Sequence, residues 1–352
     1  MGFCARSQFS ASGACATLPR ASREVSFSRN VFLPITNLCR NRCWYCGFRR
    51  EPHNGAWFMS PEEILRLAGK AKSAGCSEAL LTLGERPDVY AEVMERLEAL
   101  GYGNIVDYLV DICKSLLELG LLPHTNAGTL GKRELRKLRR YNASMGMMLE
   151  CVAKLPAHRD SPGKDPKVRL RTIAAAGRLR IPFTTGLLVG IGESRRDRIS
   201  SLLEIKKLHE RYGHIQEIII QPFVPKPNTP MSNHPPPTKE EVLSTVISAR
   251  SLMPEMNIQV PPNLVSDIGS FLRAGANDLG GISSVTPDFI NPGNPWPTVE
   301  ELKSSIIKSG FIPRERLPIY PRYAKDPSFM SPEVRAIVLQ MVDKDGYRRE
   351  LR

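Results

Sequence analysis

Short apolar runs rich in β-formers alternate with amphipathic helical segments along most of this chain, and this alternation restricts the fold more than any other feature. The segments between the runs carry helix signals such as Ser60, Pro61 and Glu63, a capping box with proline at the first helical position. Strands that alternate with helices form parallel sheets. The sequence therefore predicts an α/β fold, a (β/α)8 TIM-type barrel that is complete or nearly so. The eight candidate strands are residues 31–36, 79–83, 121–125, 143–149, 182–189, 215–221, 256–260 and 279–282.

The length of the chain, 352 residues with 41% hydrophobic content, suits a single barrel domain. We expect the barrel to span residues 25–312 and residues 313–352 to form a C-terminal extension that packs on it. Residues 1–24 are predicted to be a disordered N-terminal extension, because they are rich in Ser, Ala and Arg and hold no acid before Glu24. This composition also resembles an organelle transit peptide, so an organelle is the alternative to a cytoplasmic location.

The net charge is strongly positive, since 49 Lys and Arg residues outnumber 36 Asp and Glu residues and give +13. Such a balance is compatible with an anionic partner such as nucleic acid. No nucleic-acid motif and no basic groove with interleaved aromatic residues accompanies it. We therefore expect solvated helix faces and no nucleic-acid partner. The chain also lacks an apolar run of about 18 residues, the length of a membrane helix, so no membrane partner is expected.

Cys39, Cys43 and Cys46 lie in a short loop directly after the first predicted strand. Three thiolates on one loop can bind three irons of a [4Fe-4S] cluster and leave the fourth iron open to another ligand. The alternatives are a zinc site with His53 as the fourth ligand, or buried free cysteines. Zinc sites usually take four ligands from two closely spaced pairs, whereas this loop offers three. The cluster interpretation implies a reducing compartment.

The loop resembles the signature of the radical S-adenosylmethionine (SAM) superfamily, Cys-x3-Cys-x-aromatic-Cys, with Tyr45 as the aromatic residue. The resemblance implies a [4Fe-4S] cluster whose open iron is chelated by the amino and carboxylate groups of SAM. It also implies that one electron from the cluster cleaves SAM into methionine and a 5′-deoxyadenosyl radical. A one-electron donor such as ferredoxin or flavodoxin is then required as a partner.

Functional groups of a TIM-type barrel lie on the loops at the carboxyl ends of the strands. The loop after the second predicted strand holds Gly84, where the backbone can approach a ligand, and Glu85, a candidate partner for the ammonium group of SAM. Glu150, at the end of the fourth strand, is placed to accept hydrogen bonds from ribose hydroxyls. Arg169 is a candidate partner for the SAM carboxylate. Plain turns, rim caps or helix-surface residues are the alternatives for these positions.

Gly190 and Gly192, after the fifth predicted strand, resemble the glycine-bearing element with which the superfamily packs its backbone along the adenine. Longer stretches resemble one family, the CofG-type subunit of 7,8-didemethyl-8-hydroxy-5-deazariboflavin synthase. The resemblance extends from about residue 25 to about residue 345. The stretches are SRNVFLPITNLCRNRC at 28–43, LGERP at 83–87, LPHTNAG at 122–128, ASMG at 143–146, IPFTTG at 181–186, YGHIQ at 212–216, VPPNL at 260–264 and GGISSVTPD at 280–288.

The resemblance implies a carbon-nitrogen lyase in the biosynthesis of the deazaflavin coenzyme factor 420. A CofH-type radical SAM partner would join a tyrosine-derived hydroxybenzyl group to 5-amino-6-(D-ribitylamino)uracil. This chain would then abstract a hydrogen atom from that adduct and close the ring with loss of ammonia and one further oxidation. The alternatives are a radical SAM enzyme of another pathway, menaquinone-type or RNA-modifying, and a non-enzymatic metal-bearing RNA-binding protein.

The expected substrate carries a pyrimidinedione, a polyol and a phenol, so its pocket should offer several amide and hydroxyl partners. No residue is singled out as the proton acceptor for ring closure. Satisfied polar caps on the barrel rim are the plain alternative for the candidates, and for His124 the two interpretations are equally supported. The substrate-pocket candidates near predicted strand ends are His124, Asn126, Thr185, Gln221 and Asp278, with Asn263 and Ser283 beside them.

Overall fold

The computed structural model describes residues 23–349 of the chain. Within this range all named strands belong to one sheet. The strands are β1 Glu24–Thr36, β2 Glu78–Leu83, β3 Leu122–Asn126, β4 Ser144–Gly146, β5 Phe183–Val189, β6 Ile215–Pro222, β7 Ile258–Gln259, β8 Asp278–Ile282 and β9 Ile312–Glu315.

The helices mostly lie between consecutive strands. The predicted capping box is present at the start of α1, where the amide of Glu63 donates to Ser60 Oγ over 3.3 Å and the Ser60 amide donates to Glu63 Oε2 over 2.8 Å. The α-helices are α1 Pro61–Ser73, α2 Ala91–Ala99, α3 Ile105–Glu118, α4 Lys132–Arg139, α5 Pro166–Arg178, α6 Arg195–Tyr212, α7 Lys239–Leu252, α8 Ile268–Arg273, α9 Val299–Lys308, α10 Pro321–Ala324 and α11 Pro332–Met341.

Strands β1 to β8 pair in sequence order, every pair is parallel, and β8 returns to pair with β1. The eight strands therefore close into a barrel, and the predicted TIM-type fold is confirmed. Because all strands run the same way, their carboxyl ends meet at one end of the barrel. None of the helices between residues 23 and 349 is both long and apolar enough to span a bilayer.

Strand β1 begins seven residues before the predicted start at residue 31. Its first half alternates apolar and polar side chains, so it lacks the continuous apolar run on which the prediction depended. Val25 and Phe27 are fully buried in the main apolar core. Ser28 and Asn30, on the other face of the strand, line the interior of the barrel. This alternation follows from the two-residue period of a strand, and it makes the barrel interior polar.

Strand β9 was not predicted, and it crosses the expected barrel boundary at residues 312 and 313. It pairs with residues 24–27 of β1, ahead of the residues of β1 that pair with β2. The segment that follows, residues 316–341, covers the amino ends of the strands, and we call it the C-terminal segment. Its apolar side chains pack on Leu117, Leu122 and Ala143 of the barrel. Those side chains include Leu317, Ile319, Tyr320, Tyr323, Phe329, Met330, Val334 and Val338.

Arg316, the first residue of the C-terminal segment, is buried in the barrel among acidic side chains. Its Nε lies 2.7 Å from Asp278 Oδ2, and its Nη2 lies 2.9 Å from Asp278 Oδ1 and 3.4 Å from Glu217 Oε1. Asp278 also accepts hydrogen bonds from Ser26 Oγ and from the Gly280 amide. The placement of Asp278 in the substrate pocket is therefore wrong. It is the first residue of β8 rather than the last, and its carboxylate is occupied by Arg316.

We predict that Arg316→Met lowers the free energy of unfolding by about 3–5 kcal/mol, because it leaves buried carboxylates without their cation. Arg314 is the matched control, since its side chain is partly exposed and its ion pairs with Glu24, Asp343 and Asp345 are worth about 0–1 kcal/mol. Urea unfolding of Arg316→Met and Arg314→Met measures the difference. Equal losses in the two variants would contradict the structural role of the buried pair.

Candidate functional site

The three cysteines of the predicted cluster loop line one cavity at the carboxyl end of the barrel. This cavity has a volume of about 340 Å³, and we call it the cofactor cavity. Its walls come from strands β1 to β6, from the segments that follow them and from Ile290, which follows β8. The candidate cofactor residues Tyr45, Gly84, Glu85, Glu150 and Arg169 line the same cavity. The structure therefore brings together eight of the ten residues that the sequence assigned to the metal and the cofactor.

Glu85 holds the first part of the cysteine loop through both its backbone and its side chain. Its amide donates to Cys39 Sγ over 3.1 Å, and its carbonyl accepts from the Arg40 amide over 3.0 Å. The Arg40 guanidinium donates to Glu85 Oε1 over 2.8 and 3.0 Å, and the Thr129 amide donates to Glu85 Oε2 over 3.1 Å. Burial opposes ionisation of Glu85, but Arg169 and Arg40 outweigh it and lower its pKa. Glu85 thus positions the loop, while its predicted contact with an ammonium group stays a prediction.

The second half of the loop is held by residues 157–163, which connect β4 to α5. The Trp44 amide donates to the Ala157 carbonyl over 3.0 Å, and Ser161 Oγ donates to Cys43 Sγ over 3.3 Å. Asn41 Oδ1 accepts from the Gly163 amide over 2.9 Å. The cysteine loop is therefore fixed from two sides by segments that lie far apart in sequence.

Gly84 is required by the close approach of β2 to the cysteine loop. A Cβ at this position would lie 1.9 Å from the Leu38 carbonyl oxygen and 2.7 Å from Cys39 Cβ. Such distances are far shorter than a van der Waals contact, so any larger residue would displace the loop that carries the first cysteine. The sequence predicts that the backbone at Gly84 approaches a ligand. The structure shows that this backbone also approaches the cysteine loop.

The arrangement of the thiols fits a cluster better than a single metal ion. Among residues 23–349, no three Cys, His, Asp or Glu side chains lie close enough together to hold one ion. A zinc site needs all its ligands within about 2.0–2.3 Å of one centre, whereas a cubane attaches each cysteine to a different iron. His53, the alternative zinc ligand, is 83% exposed and lies 3.0 Å from Glu92 instead. Burial raises the pKa of the Cys39 thiol to about 11. The thiol must therefore lose its proton through coordination to iron, because the surrounding protein does not favour the thiolate.

Tyr45 and Glu150 form part of the wall opposite Glu85. The hydroxyl of Tyr45 lies 2.9 Å from His158 Nε2. Glu150 has a left-handed backbone with φ of 65°, a conformation that costs a non-glycine residue about 1–3 kcal/mol and occurs often at functional sites. Its buried carboxylate pairs with Lys164. Burial alone would raise the pKa of Glu150, but Lys164 and Arg169 outweigh it and lower the pKa, so the carboxylate is ionised at neutral pH.

Arg169 is almost fully buried at the edge of the cofactor cavity. Its guanidinium donates to the Met148 carbonyl and lies 3.9 Å from Glu85 Oε2. The Nε atom of Arg169 is buried and makes no hydrogen bond to the described residues. Arg169 therefore brings a guanidinium with an unused donor to the lining of the cavity that also holds the thiols, and guanidinium donors bind carboxylates well.

Gly190 and Gly192 lie outside the lining of the cofactor cavity. Both have positive φ values, 97° and 101°, and the amides of Gly190 and Ile191 donate to the Glu193 carboxylate over 2.9 and 2.8 Å. A Cβ on Gly190 would meet Pro237. We therefore assign both glycines to the turn after β5 rather than to the adenine, which corrects the prediction from the sequence.

A second cavity of about 170 Å³ continues into the barrel, and we call it the lumen cavity. Phe32, Asn126 and Gln221 line both cavities, so the two are continuous. Of the substrate-pocket candidates, His124, Asn126, Gln221 and Asn263 line the lumen cavity.

Two other substrate-pocket candidates lie outside both cavities. Thr185 points away from the lumen, because its hydroxyl accepts from the Leu149 amide and its neighbour Thr184 takes the inward position. Ser283 is buried and bonded to Thr286 over 2.9 Å. The prediction for Thr185 is therefore wrong by one residue, because successive residues of a strand face opposite sides of the sheet.

The sequence reasoning missed several residues that line the two cavities. Lys164 follows no predicted strand, and only the structure brings it to Glu150. Asn30, Glu78 and Glu217 carry a weak signal, since each is a polar residue that directly precedes an apolar run of its strand. Counting back from those runs with the two-residue period of a strand assigns each residue to one face of the sheet.

We predict that Cys39→Ala, Cys43→Ala and Cys46→Ala each abolish the iron-sulfur absorbance that appears after anaerobic reconstitution with iron and sulfide. Cys76→Ala is the matched control, because Cys76 is buried behind β1 with its thiol on the Asn30 carbonyl and should retain full absorbance. Iron and sulfide content and the visible spectrum measure the effect. A cluster retained in the Cys43 variant would refute the assignment.

Comparisons with known proteins agree with this geometry. Residues 33–205 match the Radical SAM superfamily. The chain is 53% identical over 327 residues to a 7,8-didemethyl-8-hydroxy-5-deazariboflavin synthase from Archaeoglobus fulgidus. This alignment covers 92% of this chain and 99% of that protein. It is 49% identical over 334 residues to the synthase of the same name from Methanopyrus kandleri, with 92% and 100% covered.

Solved structures share the fold at low sequence identity. Methylornithine synthase (PylB) aligns with a TM-score of 0.64 and 21% identity over 83% of this chain and 84% of that chain. The FeFe-hydrogenase maturase HydG from Carboxydothermus hydrogenoformans aligns with a TM-score of 0.65 and 19% identity, with 90% and 73% covered. The identity to the synthases over nearly their whole length, together with three thiols on one cavity, establishes that this chain belongs to the radical SAM 7,8-didemethyl-8-hydroxy-5-deazariboflavin synthase family.

Proposed function

We propose that this chain is the CofG-type subunit of the synthase, a carbon-nitrogen lyase that forms 7,8-didemethyl-8-hydroxy-5-deazariboflavin. Its substrate is 5-amino-5-(4-hydroxybenzyl)-6-(D-ribitylimino)-5,6-dihydrouracil, and the products include ammonia, methionine and 5′-deoxyadenosine. The observation that carries the proposal is the continuity of the three-thiol cavity with a polar lumen, in a chain 53% identical to a synthase.

The cofactors of the family are a [4Fe-4S] cluster and SAM, which when bound supply one-electron cleavage of SAM and a carbon radical that removes a hydrogen atom. Cys39, Cys43 and Cys46 hold the cluster. Arg169, with its unused donor, binds the carboxylate of SAM. The ionised carboxylate of Glu150 accepts hydrogen bonds from the ribose hydroxyls, and Tyr45 forms the wall beside it.

The chain must also keep water away from a reactive carbon radical. Apolar side chains of the cofactor cavity serve this purpose, among them Phe32, Met147, Leu188 and Phe223. All four side chains come from the carboxyl-terminal half of a strand or from the loop after it. The reacting atoms therefore meet where Phe32, Asn126 and Gln221 join the cofactor cavity to the lumen cavity.

Two partners follow from this assignment. A CofH-type radical SAM subunit supplies the substrate by joining the hydroxybenzyl group to the ribitylaminouracil. A one-electron donor of the ferredoxin or flavodoxin kind reduces the cluster. Both the cluster and its donor require a reducing compartment, for which we propose the cytoplasm.

Reconstitution tests the function directly. We predict that the loaded protein, mixed anaerobically with a CofH-type partner, tyrosine, 5-amino-6-(D-ribitylamino)uracil, SAM and dithionite, forms the fluorescent deazaflavin. Omission of this chain should leave the adduct, and omission of the partner should leave the ribitylaminouracil unchanged. Liquid chromatography with mass detection follows both compounds. Cleavage of SAM without any deazaflavin, although the adduct is present, would assign the chain to another substrate.

A further inference from the structure

The interior of this barrel is polar, whereas TIM-type barrels are usually filled by layers of branched apolar side chains. The lumen cavity lies between the cofactor cavity and the C-terminal segment, which contributes Arg316 and Pro318 to it. A polar cavity inside a barrel costs stability unless a ligand uses its groups. The side chains that line its lower part, which we call the lumen floor, are Ser28, Asn30, Glu78, His124 and Glu217.

Unsatisfied polar atoms concentrate in this cavity. The structure shows eleven buried side-chain nitrogen or oxygen atoms without a hydrogen-bond partner among residues 23–349, and four of them belong to residues that line the lumen cavity. They are Asn30 Oδ1, Asn263 Oδ1, Asn291 Oδ1 and Trp296 Nε1. Such atoms are rare in native proteins and usually have an explanation. A ligand that brings both donors and acceptors would satisfy them.

Asn30 is the residue of the lumen floor with the clearest unused hydrogen-bonding capacity. Its side chain is 1% exposed and packs against Gly281, where a Cβ would lie 2.2 Å from Asn30 Nδ2. The amide is therefore held firmly, and its oxygen accepts nothing from the described residues. The neighbouring Glu78 Oε2 accepts from Ser28 Oγ over 2.6 Å. Burial raises the pKa of the Glu78 carboxyl above its usual range.

His124 lies on the same floor with both ring nitrogens engaged. Ser144 Oγ donates its proton to the Pro318 carbonyl over 2.6 Å, so it must accept from His124 Nδ1 at 2.7 Å. Burial lowers the pKa of His124 to about 4, so the ring is neutral, and its Nε2 lies 3.2 Å from Asn126 Oδ1. Glu217 lies across the lumen with Oε2 accepting from Thr184 Oγ1 over 2.9 Å, and burial raises its pKa to about 8. The lumen floor thus mixes donors and acceptors around a narrow space.

We propose, on the basis of the proposed function, that the lumen floor binds the ribityl chain of the substrate. Of the three parts of that substrate, only the polyol offers a run of hydroxyls that each donate and accept. The phenol has a single polar group on an apolar ring, which suits the apolar wall of the cofactor cavity. The pyrimidinedione then lies between them, beside Asn126 and Gln221, where the two cavities join.

Polar residues in the loops after β7 and β8 are compatible with this orientation of the substrate. Asp288 Oδ2 accepts from the side-chain amides of Asn263 over 3.0 Å and Asn291 over 3.1 Å. Asp288 thereby fixes both amide groups and leaves their oxygens without donors. Two fixed acceptor oxygens complement the N–H groups of a pyrimidinedione ring. Trp296 lines the same part of the cavity.

The test compares two substrates in two floor variants. Asn30→Ala and Ser28→Ala each remove a polar group from the floor with a small change in volume. The substrates are the natural adduct and an analogue in which a methyl group replaces the ribityl chain. We expect Asn30→Ala to raise the KM for the natural adduct roughly three- to tenfold, the equivalent of one hydrogen bond, and to leave the KM for the methyl analogue unchanged. Ser28→Ala should show the same selectivity.

Asn257→Ala is the matched control, because Asn257 lies before β7 with its side chain on the Gln216 carbonyl, away from the lumen. It should change neither KM. SAM cleavage by dithionite without substrate reports whether each variant retains an intact cofactor site. An equal rise of KM for both substrates in the floor variants would overturn the assignment of the ribityl chain while leaving the lyase activity in place. If the wild-type protein converts neither the adduct nor the analogue, the proposed function fails and this inference fails with it.

Discussion

The contact between Glu85 and the Cys39–Arg40 pair is the interaction on which the site depends. It joins the loop after β2 to the loop after β1 by a bond from the Glu85 amide to Cys39 Sγ, a backbone bond from Arg40 to Glu85 and a partly buried ion pair. The contact is possible only because Gly84 has no side chain. With residues 157–163 on the other side, it places three thiols on one wall before any iron is bound. A loop fixed in this way reduces the ordering cost of cluster assembly.

The acidic side chains inside the barrel carry a large electrostatic cost, because their charges are removed from water. Glu78, Glu217 and Asp278 are all buried there, and Arg316 is their shared cation. Arg316 does not belong to the eight strands; it follows β9 and begins the C-terminal segment. That segment therefore does more than cover the amino ends of the strands, since it also supplies the charge that allows acids inside the barrel. Arg316 therefore links the C-terminal segment to the lining of the lumen cavity.

Local signals in the sequence predicted the fold well. Strand runs, the capping box at Ser60 and the position of the cysteine loop all depend on residues close in sequence, and each was found as predicted. The start of β1 and strand β9 were missed because their residues are polar or partly exposed. The direction in which strand residues face was also predicted poorly. Thr185 and Asp278 lie near the predicted places, but Thr185 accepts from the Leu149 amide and Asp278 pairs with Arg316. A pattern of apolar residues locates a strand without fixing which of its polar residues faces a ligand.

Contacts between distant segments were beyond sequence reasoning. Lys164 reaches Glu150, and Ser161 reaches Cys43, only because the β4–α5 connection folds over the barrel end. The same holds for Gly190 and Gly192, whose positive φ values serve a turn. The presence of glycine at these two positions had indicated a contact with a ligand on the basis of residue type alone. The polar interior was readable in principle, because Ser26, Ser28 and Asn30 alternate with buried apolar residues in β1.

We propose that three protein thiols hold the cluster and leave one iron to SAM. Electron-nuclear double resonance on the reduced, reconstituted protein with SAM labelled by 15N at its amino group reports whether that nitrogen is bound to iron. We expect a 15N hyperfine coupling of the size expected for nitrogen bound to iron, present in the wild-type protein and in Cys76→Ala. A reduced cluster without such a coupling, although SAM is bound, would show that the amino group of SAM is not a ligand of the cluster and would refute this arrangement.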